Sequence, residues 1–448
     1  MNRSTSTIGL VMASVAVMAQ QKPNIVVIYT DDMGIGDLSC YNGGWTDTPN
    51  IDELAREGIK FNNYYTASPV SSPSRCGITT GRFPTEVSIT NFLNDRKSNA
   101  ACEQSDYLNP KYPTIARALK GNGYATGHFG KWHMGGGRDV DDAPQIPLYG
   151  FDEYVSTYES PDPDKLITAS NWIWSEKDSI KHWDRTKYFV DKALDFMKRH
   201  KDQPCFVNLW PDDMHTPWVP TAYFFGRNNL WEQELLFRQV LFEYDRQIGR
   251  FIEGLKAQGQ WENTIVVFTS DNGALPTFNQ ARSNGLRGSK ISLYEGGVNM
   301  PFLISWPARI KAHQVDAGSV ISSVDLFPTF CRITGTKLPD GDFSGEDISD
   351  CLLYGKTHVR KKPLYWDFGR NKAFGHPAQP HQRSPHLAIR KGDLKVLVNA
   401  DGSRLEMYDL KADRHETDNT AALYPEKAQA MAREVINWYS SKKGAREQ

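Results

Sequence analysis

Four short apolar runs in this chain each pass straight into residues that carry charge or hydrogen-bonding chemistry. NIVVIY, residues 24–29, leads through Thr30 into Asp31 and Asp32. TIVVFTS leads into Asp271, Asn272 and Gly273, and CFVNLW leads into Asp212, Asp213 and His215. ATGHFG leads into Lys131 and His133. Between these runs lie stretches with helical spacing: PTIARALKGNGY, YFVDKALDFMKRH and ELLFRQVLFEYDRQIGRFIEGLKAQG. TPNIDELAREG is a further helix, with Thr48 as its cap, Pro49 in its first turn and Gly58 as its stop. FLISWP, starting at Phe302, is one more buried strand. Strands separated by helices predict a largely parallel sheet with helices on both faces. Sites on such sheets form outside the carboxyl ends of the strands. The acids, the amide, the histidines and the lysine are therefore expected at one edge.

The rhythm changes after about Asp340. PLYWDFG, HLAIRKGDLKVLVNA and LEMYDL are short alternating strands, and PEKAQAMAREVINWYSSKK is a closing helix. The expected fold is α/β: a large mostly parallel sheet sandwiched by helices over residues 20–340, then a smaller antiparallel α+β subdomain over 341–448. With 39% hydrophobic and 23% charged residues in 448, the chain has ample core. A net charge of −1 gives no bulk argument for nucleic acid or an anionic membrane. Arg3 precedes IGLVMASVAVMA, an apolar run too short to cross a bilayer. With Val17 and Ala19 at the small-residue positions, residues 1–19 are expected to be a cleaved signal peptide. The mature chain is then periplasmic or secreted, with no membrane insertion after cleavage. None of the six cysteines forms a C-x-x-C pair, which argues against a zinc or thioredoxin-like site. Cys76 and Cys102 flank a loop and are one candidate disulfide; buried thiols are the equal alternative.

Carboxylates gathered at one edge repel each other unless a cation lies between them. All-oxygen donors suit a hard cation, calcium before magnesium, better than zinc. The segment SPVSSPSRCGITTGR, residues 68–82, adds a second element. Pro73 fits the first turn of a helix, with Ser71 or Ser72 at its cap. Free N–H groups and the dipole at such a helix start favour an anion, and Arg75 adds a fixed positive charge. A plain capping serine is the simpler alternative.

Residues 71–82 also resemble the signature of the type I sulfatases, of the alkaline-phosphatase-like superfamily. That signature is Cys or Ser, any residue, Pro, any residue, Arg, and further on a Thr-Gly pair, here Thr80 and Gly81. TDDMG, FGKWHMG, HTP, TSDNG, GLRGSKISLYEGGVNMP and MYDLKADRHETDNTA extend the resemblance over nearly the whole mature chain. Thr79 replaces the usual Leu, Asn299 the Arg of EGG-x-Arg, and Trp218 a His that often follows His-x-Pro. The resemblance implies that Ser71 is oxidised to formylglycine by an anaerobic-type maturase. Of the two hydroxyls of its hydrate, one attacks sulfur and the other, once deprotonated, expels sulfate. The resemblance also implies that Asp31, Asp32, Asp271, Asn272 and the modified Ser71 hold calcium. Arg75 would hold the formylglycine hydroxyl, and Lys131 and Lys290 the sulfate oxygens. His133 would be the base, and His215 the acid for the leaving alcohol.

The implied substrate is a sulfated saccharide. Arg138 and Asp139 follow His133 closely and are candidates to grip sugar hydroxyls. The loop GHPAQPHQRSPH, with His376, His381, Arg383 and His386, is a candidate pocket wall. Two other readings remain at this stage. One is a phosphatase or phosphodiesterase of the same superfamily that uses unmodified Ser71. The other is a non-catalytic binder of sulfated glycans.

Overall fold

The computed structural model describes residues 21–137, 139–170, 174–220, 233–370 and 377–443. The expected signal segment, residues 1–19, lies outside them.

The main sheet has nine strands among the described residues. They are β1 (Asn24–Thr30), β2 (Gly58–Tyr65), β3 (Ala125–Gly130), β4 (Glu153–Ser156), β5 (Cys205–Trp210), β6 (Thr264–Ser270), β7 (Asn299–Ser305), β8 (Gln314–Asp316) and β9 (Ile321–Ser322). The order is β4-β3-β5-β1-β6-β7-β2-β8, with β9 also on β2. Strands β4, β3, β5, β1 and β6 are mutually parallel; β7 runs antiparallel to both β6 and β2. The centre is apolar on both faces, as a strand covered on two sides must be. In β1, Ile25, Val27 and Tyr29 join one core, and Val26 and Ile28 join the other. In β6, Ile265 and Val267 part from Val266 and Phe268 in the same way.

Helices Arg185–Arg199 and Glu234–Ala257 cover one face, through Phe189, Phe196, Phe237, Ile248 and Leu255. Helices Ser71–Thr80, Ile115–Gly121 and Leu326–Thr334 cover the other, through Ile78, Leu119, Phe327 and Phe330. The helix Pro49–Arg56 starts after Thr48 as expected, but the Thr48 hydroxyl bonds Asp52 Oδ1 (3.1 Å) rather than capping a backbone amide. Gly58 is already the first residue of β2.

A second sheet of four antiparallel strands follows: β10 (Leu364–Asp367), β11 (Leu387–Lys391), β12 (Leu394–Val398) and β13 (Glu406–Asp409). Its alternation divides two cores. Ala388, Leu397 and Tyr408 pack with Tyr65, Val70 and Leu293 of the large unit. Leu387, Ile389, Val396 and Met407 pack with Ala428, Met431 and Val435 of the closing helix Pro425–Lys443. All six cysteines are free thiols, five of them buried, so Cys76 and Cys102 are not joined. Among the described residues no helix is long and apolar enough to cross a membrane.

Candidate active site

Strands β1 and β6 are neighbours paired through Thr30 and Ser270, so the turns that follow them lie side by side. The first turn carries Asp31 and Asp32, the second Asp271 and Asn272. Asp32 takes φ +57°, a left-handed conformation that Asp tolerates better than most residues, and its amide donates to Asp271 Oδ1 at 3.1 Å. Asp31, Asp32 and Asp271 are all buried and each offers an oxygen within 4.8 Å of the others. Asn272 Nδ2 donates to Asp32 Oδ1 at 2.7 Å. Burial and the Asp31 charge push Asp271 up to about 7, although Arg75 pulls the other way. Burial alone would raise Asp31 too, but Lys131, His215 and Arg75 hold it well below the usual carboxylate range. Three enclosed carboxylates and an amide, all hard oxygen donors, fit a calcium-type ion.

The helix Ser71–Thr80 begins beside this cluster, and all ten of its residues are buried. Its cap is Val70, one residue earlier than expected, so neither Ser71 nor Ser72 caps it. Ser71 instead turns its hydroxyl on Asp31 Oδ1 at 3.1 Å and Asn272 Oδ1 at 3.4 Å, because a carboxylate is a stronger acceptor than the alternatives nearby. The neighbouring hydroxyls satisfy backbone: Ser72 Oγ accepts from Leu93 N (2.9 Å), Ser74 Oγ donates to Ser68 O (2.7 Å), and Thr80 Oγ1 donates to Cys76 O (2.7 Å). A fully buried helix needs that accounting. Arg75 is enclosed between the Tyr29 and Trp210 rings, 5.4 and 5.2 Å from their centroids. Its Nη2 reaches Asp271 Oδ2 at 2.8 Å and Asp31 Oδ1 at 3.4 Å.

Lys131 follows β3 directly, and its Nζ lies 2.9 Å from Asp31 Oδ2 and 3.3 Å from Glu159 Oε2. Lys290 comes from the loop before β7, and its Nζ lies 2.6 Å from Asp32 Oδ2 and 3.2 Å from His215 Nε2. His215 Nδ1 is 2.6 Å from Thr216 O, so Nδ1 carries the hydrogen and Nε2 faces Lys290. Burial, then Lys290, lowers the His215 pKa. His133 sits at φ +49°, with Nδ1 3.1 Å from Glu159 Oε2, and burial holds it down at about 3. Lys290 and His215 are the partly exposed members, with side chains 17% and 22% accessible, and so form the mouth of the site.

Not every residue expected at this edge joins the ring. Asp212 and Asp213 turn aside onto the start of the Arg185–Arg199 helix. Asp212 Oδ2 pairs with Arg185 Nη1 at 2.9 Å, and Asp213 Oδ2 accepts from Thr186 N at 3.2 Å. Arg138 and His376 lie outside the described residues. Asp139 is half-buried on the turn after His133, its amide 3.4 Å from Gly136 O. Arg383 Nε donates to Pro377 O at 2.7 Å, so the guanidinium staples its own loop. That loop in turn clamps the segment bearing Lys290: His381 O accepts from Arg287 Nε (3.0 Å), and Gln382 O accepts from Ser292 Oγ (2.7 Å). Glu159, which faces both Lys131 and His133, had no signal in the sequence. It lies in the irregular stretch after β4, where neither periodicity nor a strand end points to it.

The fold is the α/β arrangement that the resemblance to the alkaline-phosphatase-like superfamily led us to expect, and the family match assigns the chain to it. Residues 23–336 match the sulfatase family, and residues 289–437 match the family described as N-sulphoglucosamine sulphohydrolase, C-terminal. The chain is 28% identical to an N-acetylgalactosamine-6-O-sulfatase of Bacteroides thetaiotaomicron, with 91% of each protein covered. It is 31% identical to the human N-acetylgalactosamine-6-sulfatase, covering 78% of this chain and 69% of that one. Among solved structures, Ps i-CgsB in complex with k-i-k-neocarrahexaose is similar, with TM-score 0.73, 26% identity, and 94% and 93% coverage. A Bacteroides thetaiotaomicron protein from a glycosaminoglycan-metabolism locus gives TM-score 0.74, 26% identity, and 95% and 100% coverage. The chain belongs to the sulfatase family, as a type I sulfatase related to bacterial carbohydrate sulfatases, and is a sulfuric ester hydrolase.

Proposed function

We propose that this enzyme, exported to the periplasm or beyond, releases sulfate from a sulfated saccharide. In this reading Ser71 is converted to formylglycine by an anaerobic-type maturase, and Asp31, Asp32, Asp271 and Asn272 hold calcium. The contact of Ser71 Oγ with both Asp31 and Asn272, at 3.1 and 3.4 Å, carries the reading. When bound, the ion would supply Lewis-acid charge beside the reacting oxygens. The converted residue 71 would supply paired hydroxyls, one to attack sulfur and one to let sulfate leave.

The chain's own groups do the rest. Lys131 and Lys290 flank the cluster and set fixed positive charge where the sulfate oxygens gather negative charge. Arg75, buried beside two rings, pairs with Asp31 and Asp271 and so holds them in register with residue 71. Burial keeps His133 neutral and makes its protonation costly; Glu159 Oε2, 3.1 Å from Nδ1, offsets that cost when His133 takes a proton as base. His215 presents Nε2 at the mouth, 3.2 Å from Lys290 Nζ; a proton taken up at Nε2 is the one it would hand to the leaving alcohol. Two of the relatives named above are N-acetylgalactosamine-6-sulfatases, and that ester is the substrate we assign first.

The test is co-expression with an anaerobic-type maturase. The Ser71 peptide should lose two hydrogens by mass, and sulfate should be released from N-acetylgalactosamine 6-sulfate in preference to sulfated galactose. Ser71→Ala should release none. Turnover of phosphate monoesters with an unmodified Ser71 peptide would overturn the reading in favour of a phosphatase.

A further inference from the structure

The C-terminal sheet contributes no group to the ring around Ser71, yet a buried ionic node joins it to that ring. At its centre is Glu295, first residue of the tight turn Glu295–Val298. Glu295 Oε1 accepts from Lys395 Nζ at 2.9 Å, and Oε2 accepts from Tyr65 Oη at 2.7 Å. Lys395, on β12, also reaches Glu416 Oε1 at 3.0 Å, and Glu416 Oε2 accepts from the Glu295 amide at 2.6 Å. All three charged residues are fully buried. Glu416 lies in MYDLKADRHETDNTA, which has no part in the chemistry above.

The turn that Glu295 anchors touches both halves of the site. Gly273 N, next to Asn272, donates to Gly297 O at 3.1 Å; Gly296 N donates to Arg287 O at 2.7 Å. Cβ atoms on Gly273 and Gly296 would lie 2.1 Å from Gly296 O and 2.3 Å from Gly288 O, so these backbones are in direct contact. From there, Lys290 N donates to Ala274 O (2.8 Å) and Ile291 N to Pro69 O (3.0 Å). The sequence has Asn299 where the resembled motif has Arg. Asn299 Nδ2 bonds Glu295 Oε2 at 3.1 Å and brings no charge. The counter-charge comes first from Lys395, a hundred residues on, and then from Arg390, which bonds Tyr65 Oη in the same node.

We propose that Lys395 is a positioning residue: by fixing Glu295 it holds the 295–298 turn, and through it sets the Asp271–Asn272 turn and Lys290 in register with Ser71. The inference rests on the function proposed above, calcium site included, but the calcium arm of its test is independent of sulfate release. Three variants decide it: Lys395→Met, Lys395→Arg, and Lys395→Met combined with Glu416→Gln. The measurements are thermal midpoint, calcium affinity by titration calorimetry, and kcat and KM for sulfate release well below each midpoint. Lys395→Met should lose about 10- to 100-fold in both calcium affinity and kcat/KM, the scale of a misplacement near 1 Å. Lys395→Arg should recover most of both. The double variant removes one buried charge of each sign, so its midpoint should return towards wild type while both functional losses persist. Recovery of calcium affinity and kinetics along with the midpoint would overturn the proposal, as would wild-type values in Lys395→Met. Should the matured wild type release no sulfate, the functional reading fails, and the calcium arm still decides this one.

Discussion

At Ser71 a hydroxyl in the first turn of a helix faces side chains from the turns that follow two strands, β1 and β6. Lys131 and His133 both look to Glu159, which would give that carboxylate a role in orienting the proposed base. Glu159→Gln should keep the fold and lower kcat more than it raises KM, measured on the matured enzyme. His128 shows the opposite kind of buried titratable group. Packed against Trp132, Phe151 and Trp210, it is held by burial down at about 3. In the unfolded chain it would bind a proton near its ordinary value of about 6.5. The unfolded state therefore takes up the extra proton between these values, and stability falls as pH drops through that window. Relative to His128→Phe, the wild type should lose about 2 kcal/mol of unfolding free energy between neutral pH and about pH 5, by denaturant titration at each pH. An unchanged difference between the two across that range would contradict a neutral His128.

Among the elements, β1 and β6 were the most legible, because an unbroken β-branched run fits only a strand covered on both faces. The charged ends of β1, β3 and β6 were legible for the same reason. Strand β2, GIKFNNYY, was not read: Lys60, Asn62 and Asn63 break its alternation, and pairing with β7 and β8 holds it in place. Asp212 and Asp213 follow a strand as Asp31 and Asp32 do, and nothing in the sequence separates the two pairs. The distinction comes from Arg185 and Thr186, brought alongside only by the fold. One close joint between elements is that of the Asp271–Asn272 turn with the turn at Glu295. Gly273→Ala would drive a Cβ into Gly296 O, where only backbone is available to yield. It should cost about 1–3 kcal/mol in stability and weaken calcium binding, read by thermal melts with and without the ion.

Across the whole molecule, the two sheets share a buried boundary, and the enclosed carboxylates sit where the central strands β1 and β6 end. An ion that binds only the folded chain stabilises it by mass action. Chelation should lower the thermal midpoint and abolish sulfate release, and added calcium should restore both. Indifference of the midpoint to chelator and calcium alike would count against the Asp31–Asp32–Asp271 assignment. The enclosure of Ser71, 3% accessible in a helix with no exposed residue, bears on the life history of the protein. A modifying enzyme would have to take this stretch of chain into its own active site, and the folded, fully buried helix does not offer it. The proposed oxidation then belongs to the nascent or newly exported polypeptide. A synthetic peptide spanning residues 68–82 should be converted by the maturase, whereas refolded protein should resist it. Timing of export and closure, rather than catalytic competence alone, would set the yield of active enzyme.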